Sequence, residues 1–224
     1  FVSSRLEYLS DNIQIIKDTA AKIREYCPEA LVITVTNPID PLNYAMFLSV
    51  DSERRNFIGY SLNDSIRFRM LTARAINKKC KDLNGMVIGE HGENQVLLWN
   101  TITVNGSAIG INAPLKLEIA NEMANVLSSY ENLRSGRTTG WTSGMGVSYI
   151  VKAICGDTRE IIPCSAILSG EYGGEDISLG IPAVIGAEGV EKIVEFDLDD
   201  EERERMQRAI DAQKNTAKVV RELL

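Results

Sequence analysis

Leu31-Val32-Ile33-Thr34-Val35-Thr36-Asn37-Pro38-Ile39-Asp40 decides the fold class. The first six residues are β-branched or aliphatic on successive positions. A strand apolar on both faces belongs in a parallel sheet covered by helices on either side. Asn37-Pro38 stops it, because the residue before proline and the proline itself leave the ladder. Upstream, Ser4-Arg5-Leu6-Glu7 reads as a capping box. Leu6, Leu9, Ile13, Ile16, Ala20 and Ile23 then recur at three- and four-residue steps, one face of a long helix ending at Cys27-Pro28. Downstream, Pro41 to Val50 reads as a second helix. The strand has no sequence-evident neighbour, so the expectation is that part of an α/β domain lies upstream of Phe1 and that residues 1–60 are the remnant of that doubly wound domain.

The texture changes after residue 61. A helix is expected over Asn63–Ile76 and a short strand over Met86–Ile88. A hairpin turns at Asn105-Gly106, between Thr101–Val104 and Ser107–Ile109. Helices follow at Leu115–Leu133 and Thr142–Ile154. Antiparallel strands are expected at Ile161–Leu168, Ile177–Leu179 and Ile193–Phe196. An amphipathic helix over Glu201–Leu224 closes the chain, burying Met206, Ile210, Ala217, Val220 and Leu224. Residues 61–224 therefore read as an α+β domain.

Composition limits the function. The chain has 224 residues, 24 Lys+Arg against 31 Asp+Glu, 44 % hydrophobic residues and a net charge of −7. That is the balance of a folded chain. Its acidity, with no basic cluster interleaved with aromatics, argues against a nucleic-acid partner. No apolar run approaches the ~20 residues of a membrane span. The four cysteines lack C-x-x-C spacing, and one histidine cannot complete a Cys/His zinc set, so no metal is expected. There is no G-x-G-x-x-G and no Walker loop, and Gly140-Trp141-Thr142-Ser143-Gly144 misses the hydrolase elbow by one position.

His91 is the one histidine, between Gly89 and Gly92 and directly after a strand. Imidazole takes or gives a proton near neutral pH, and flanking glycines let a ligand approach; an incidental surface histidine fits the same pattern. Asp64 and Arg67 share a helix face three residues apart. They read either as an intrahelical ion pair or as a histidine-orienting carboxylate beside a guanidinium that grips a substrate carboxylate. Arg69 points away. Arg5, in a first helical turn, reads as a solvated arginine or a ligand-facing one. Asn37 ends a parallel strand, where α/β sheets bind ligands, or simply closes a turn.

In order along the chain stand Arg5 with Asn12, Thr36-Asn37-Pro38-Ile39-Asp40, Asp64-Ser65-Ile66-Arg67, Gly89-Glu90-His91-Gly92, and Gly170-Glu171-Tyr172-Gly173 with Pro182. In this order and spacing the motifs resemble the lactate/malate dehydrogenase family over nearly the whole chain, which corresponds to the final two thirds of such an enzyme. The resemblance implies hydride transfer between a nicotinamide cofactor and a small 2-hydroxy acid. The cofactor is NAD, with NADP left open. The substrate is a dicarboxylate or monocarboxylate, malate/oxaloacetate ahead of lactate; the position that separates them falls upstream of Phe1. It implies His91 as proton donor and acceptor, Asp64 as its orienting carboxylate, Arg67 as the carboxylate clamp and Arg5 as the arginine that polarises the reacting carbonyl. Asn37 would touch substrate and nicotinamide ribose, Thr36 and Asn12 would serve the cofactor, and Thr139 (or Thr138 in a shifted alignment) would line the substrate pocket. A cytoplasmic homo-oligomer, dimer or tetramer, is implied as well. Asn63 and Glu93 depart from the family's usual Leu and Asp. The alternative from another class is a non-catalytic oligomerisation module that lacks the cofactor phosphate loop.

Overall fold

The computed structural model describes residues 5–92, 94–132 and 140–224. Helix α1 (Arg5–Tyr26) buries Leu9, Ile13, Ile16 and Ala20 along one stripe. Strand β1 (Val32–Thr34) crosses over through α2 (Ile39–Val50) to β2 (Phe57–Gly59) and pairs with it in parallel, Val32 opposite Phe57 and Thr34 opposite Gly59. The first strand thus has a neighbour that the sequence did not disclose, because three residues wedged between a 3₁₀ turn and a helix carry no readable period. Val32 and Ile33 are half-buried and Val35 is 46 % exposed. Among the described residues β1 stands at the edge of the sheet, and Val35 lies beyond its ladder.

Helix α3 (Leu62–Ala75) leads to β3 (Leu83–Gly89) and β4 (Gln95–Val104), which folds back as a hairpin with β5 (Ser107–Ala108). Both turn residues of that hairpin have positive φ, Asn105 49° and Gly106 78°, as a type I′ turn requires. Helices α4 (Ala113–Asn132) and α5 (Gly140–Gly156) follow. Next come β6 (Glu160–Ser169), β7 (Glu175–Gly186), β8 (Gly189–Ile193) and the closing helix α6 (Asp200–Leu223). The last strand is corrected from Ile193–Phe196 to β8, and Leu224 is 37 % exposed because it lies past the helix end.

One sheet runs β1-β2-β6-β7-β3-β4-β5, with β8 also on β7. Its parallel start joins its antiparallel remainder at a single pair, Gly59 opposite Ser165. A Cβ on Gly59 would stand 2.6 Å from the Ser165 Cβ, so only glycine permits that junction. The main core lies where α1, α2, α6 and α5 cover β2, β6 and β7. A second cluster, Phe68, Leu71, Leu83, Val87, Ile102 and Ile119, fastens α3 and α4 to the β3–β4 face. Among the described residues no helix is long and apolar enough to cross a membrane.

Candidate active site

Asp64 lies in the first turn of α3, where the helix dipole favours a negative charge. It is 3 % exposed. Neighbouring side chains fix that turn. Asn63 Nδ2 donates to Ser143 Oγ of α5 at 3.0 Å, and Tyr60 Oη donates to Asn63 Oδ1 at 2.9 Å. Ser65 Oγ accepts the Val87 N–H at 2.9 Å, tying α3 to the strand that carries the histidine loop.

That loop begins at Gly89, whose φ of 83° and 2.6 Å approach of a Cβ to the Asn94 carbonyl demand glycine. Across the sheet, a Cβ on Gly180 would meet the Gly89 carbonyl oxygen at 2.6 Å. The loop closes through Gly92 N–H on the Glu90 carbonyl, 2.8 Å, and Asn94 Nδ2 on Glu90 Oε2, 2.6 Å. His91 is held at two points. Its backbone N–H donates to Asp40 Oδ2 at 2.9 Å, and its ring Nδ1 lies 2.5 Å from Asp64 Oδ2. With Nδ1–H donating to the carboxylate, Nε2 is left to exchange a proton with a ligand.

Asp64 serves two partners at once. Its Oδ2 faces His91, and its Oδ1 accepts from Arg67 Nη1 at 3.2 Å. The ion pair and the histidine-orienting contact, alternatives in the sequence, therefore coexist on separate oxygens. The side chains of His91 and Arg67 are 21 % and 24 % exposed, open enough to meet a small ligand. Burial pushes the His91 imidazole down, but the Asp64 hydrogen bond and charge, with the Asp40 charge, outweigh it, so the imidazole sits above its ordinary value of 6.5. Arg67 opposes that rise.

Asn37 and Thr36 are exposed at the end of β1, and Asn12 Nδ2 donates to the Asn37 carbonyl at 2.9 Å. Asp40, three residues on, ties this strand end to the histidine loop. The structure thus joins His91, Asp64 and Arg67 directly and Asn12 to Asn37. The Arg5 side chain, Thr138, Thr139 and Glu93 lie outside the described residues. Sequence reasoning quoted Asp40 but gave it no role, and it missed Asn43, Ser165 and Ser178. All four are buried and hydrogen-bonded to one another. The available signal was a polar residue interrupting an otherwise apolar helix or strand.

Comparison with known proteins bears on this arrangement. The lactate/malate dehydrogenase alpha/beta C-terminal domain matches residues 62–223, and the NAD binding domain of the same family matches residues 3–59. The malate dehydrogenase of Natronomonas pharaonis is 34 % identical over 204 residues, which is 91 % of this chain and 66 % of that protein; the chain spans just that share of its relative's length. The structure of the malate dehydrogenase from Aeropyrum pernix superposes with a TM-score of 0.89 at 30 % identity, covering 97 % of this chain and 71 % of that one. The lactate dehydrogenase from Eimeria maxima, solved with NADH and oxamate, gives 0.91 at 29 % identity, covering 99 % and 69 %. A histidine held by a buried carboxylate, an arginine three residues along the same helix and two domain matches in sequence order lead to one assignment: the chain belongs to the lactate/malate dehydrogenase family.

Proposed function

We propose that this chain carries the substrate-binding and proton-transfer machinery of a nicotinamide-dependent 2-hydroxy acid dehydrogenase acting on malate and oxaloacetate. In this reading residues 1–60 belong to its dinucleotide-binding domain and residues 61–224 form its substrate domain. The observation that carries it is the line Arg67–Asp64–His91, with one Asp64 oxygen on each neighbour. The donor set at the β1 end fits the nicotinamide end of a dinucleotide. Asn37 and Thr36 offer exposed neutral amide and hydroxyl groups to ribose hydroxyls, and Asn12 steadies the Asn37 backbone. NAD is the cofactor of this reading, with NADP as the alternative.

When bound, the nicotinamide supplies or accepts the hydride. His91 Nε2 holds the proton that goes to the new hydroxyl in reduction and takes it back in oxidation. Asp64 fixes the tautomer and favours the imidazolium. Arg67 keeps guanidinium donors beyond the one on Asp64 and receives the substrate carboxylate with them, which sets the face presented to the cofactor. Arg5 is assigned to the reacting oxygen, and Asn37 and Thr139 to the walls of the substrate site. We place the protein in the cytoplasm as a homo-oligomer. Malate is favoured by the curated relatives at 32–34 % identity, which are malate dehydrogenases; likeness to lactate dehydrogenase structures supports the second reading. The deciding experiment is NADH and NADPH oxidation by the full-length protein with oxaloacetate and with pyruvate. The larger kcat/KM is expected for oxaloacetate with NADH, and preference for pyruvate overturns the malate assignment.

A further inference from the structure

Behind the histidine loop lies a buried chain of polar groups. Asp40 is 2 % exposed and Asn43, Ser165 and Ser178 are 0–1 % exposed, drawn from α2, β6 and β7. Its hydrogens can be placed by counting donors. Asn43 Nδ2 donates to Ser178 Oγ at 3.0 Å and to the Ser165 carbonyl at 3.3 Å. The two serine hydroxyls lie 2.8 Å apart, and Ser165 Oγ donates to Asp40 Oδ1 at 2.5 Å. With the Ser165 hydrogen on Asp40, the Ser178 hydrogen must go to Ser165. The His91 N–H donates to the other Asp40 oxygen. Both hydroxyl hydrogens and the His91 N–H run toward Asp40, the polarity that suits a carboxylate rather than a carboxylic acid.

The same chain has a second polarity. If Asp40 carries a proton on Oδ1, it donates to Ser165, Ser165 donates to Ser178, and Ser178 needs an acceptor. Asn43 Oδ1 is buried with no hydrogen-bond partner among the described residues, and a turn of the Asn43 amide presents it. In that state the His91 N–H faces a neutral carboxyl, and a charge-assisted bond becomes an ordinary one of roughly half the strength. Among the described residues, the charged groups facing Asp40 are His91 and Glu90 on the loop after β3; Ser165, Ser178 and Asn43 do not titrate in this range. Burial is the main influence on Asp40 and pushes it up to about 6. The Ser165 hydrogen bond, the His91 N–H and the His91 charge pull it down, and Glu90 pushes it up.

We propose that Asp40 is a positioning residue of the histidine loop: its ionised carboxylate holds His91 in place against Asp64, and protonation of Asp40, accommodated by reversal of the Ser165–Ser178–Asn43 hydrogen bonds, slackens that hold. Asp40 is buried and acts through the His91 backbone. The proposal rests on the reading of His91 as the acid/base.

The test is kcat/KM for oxaloacetate reduction against pH in the full-length protein, for wild type, Asp40→Asn, Ser165→Ala and His91→Asn, with circular dichroism at each pH. Wild type should lose rate as pH falls through about 6, although acid supplies protonated His91. Ser165→Ala removes a bond that favours the ionised form, so its acid limb should move up by roughly one pH unit. Asp40→Asn should be about tenfold slower or more, without that limb and with an unchanged KM for NADH. If Asp40→Asn does not fold, the Ser165→Ala shift decides alone. An acid limb that is absent from wild type, unmoved in Ser165→Ala or retained in Asp40→Asn overturns the proposal. Full turnover in His91→Asn overturns the underlying reading instead, so the two failures are separate.

Discussion

Replacing Asp64 by Asn tests the site's electrostatics with little change of shape. The amide keeps the carboxylate's size, and its oxygen still accepts the Nδ1–H of His91, now 2.5 Å from Asp64 Oδ2. What disappears is the charge. Two unit charges about 4 Å apart in a partly buried site interact by ~4 kcal/mol at an effective dielectric of about 20, which sets a ceiling of roughly 3 pH units. Neighbouring opposite charges shift groups by about 1–3 units in practice. Arg67, now 3.2 Å from Asp64 Oδ1, loses its counterion, and its charge presses further against the imidazolium. Burial, the largest influence on His91, is then unopposed by Asp64. All these changes have the same sign, so His91 should move from above 6.5 to below it. Reduction requires protonated His91, so its kcat/KM at neutral pH should fall by roughly ten- to a thousandfold. The oxidation profile should move to lower pH. There is a matching stability signature. Because the folded-state value is raised, the His91 contribution is fully present below the unfolded value of 6.5 and is lost as pH rises through the folded value. Asp64→Asn should therefore cost more stability on the acid side of that window than on the alkaline side. Profiles of kcat/KM against pH in both directions, with denaturant unfolding on either side of the window, read both effects. Profiles that stay in place, or move to higher pH, refute the reasoning.

Two further substitutions probe other parts of the site. Arg67→Lys keeps the charge but loses the planar fork, so KM for the 2-oxo acid should rise by roughly ten- to a hundredfold with cofactor affinity nearly constant; a parallel loss of both affinities, measured by steady-state kinetics and cofactor fluorescence, would make Arg67 structural. Gly180→Ala places a Cβ 2.6 Å from the Gly89 carbonyl oxygen, a backbone atom that cannot swing aside. Thermal unfolding should show a loss of about 1–3 kcal/mol together with reduced turnover, since Gly89 anchors the histidine loop; unchanged stability and turnover would show that the strands part without disturbing His91.

The proposed reacting groups are more legible in the sequence than their supports. His91, Asp64 and Arg67 stand in short motifs with local spacing, and the geometry shows that the Asp64–Arg67 ion pair and the Asp64–His91 contact coexist. The supports are distant in sequence. Asp40 meets Ser165 across 125 residues and Asn43 meets Ser178 across 135, so the sequence displays the polar interruptions without their partners. In the sequence, Gly180 and Pro182 break the β pattern of β7 after Leu179. Both have tertiary reasons to be there: Gly180 admits the Gly89 backbone, and Pro182 stands opposite Pro163 in the ladder. The start of β4 carries a short signal of its own, since Val96 and Leu98, both 0 % exposed, alternate as a strand should. The brevity of β2 hid the partner of β1.

Proton transfer by His91 is tested most directly by turnover of the full-length His91→Asn protein with oxaloacetate and NADH. Asn retains hydrogen-bonding capacity but cannot exchange a proton near neutral pH. Proton transfer by His91 requires turnover to fall by at least ~10²-fold, with cofactor affinity preserved. Turnover within a few-fold of wild type would contradict the assignment.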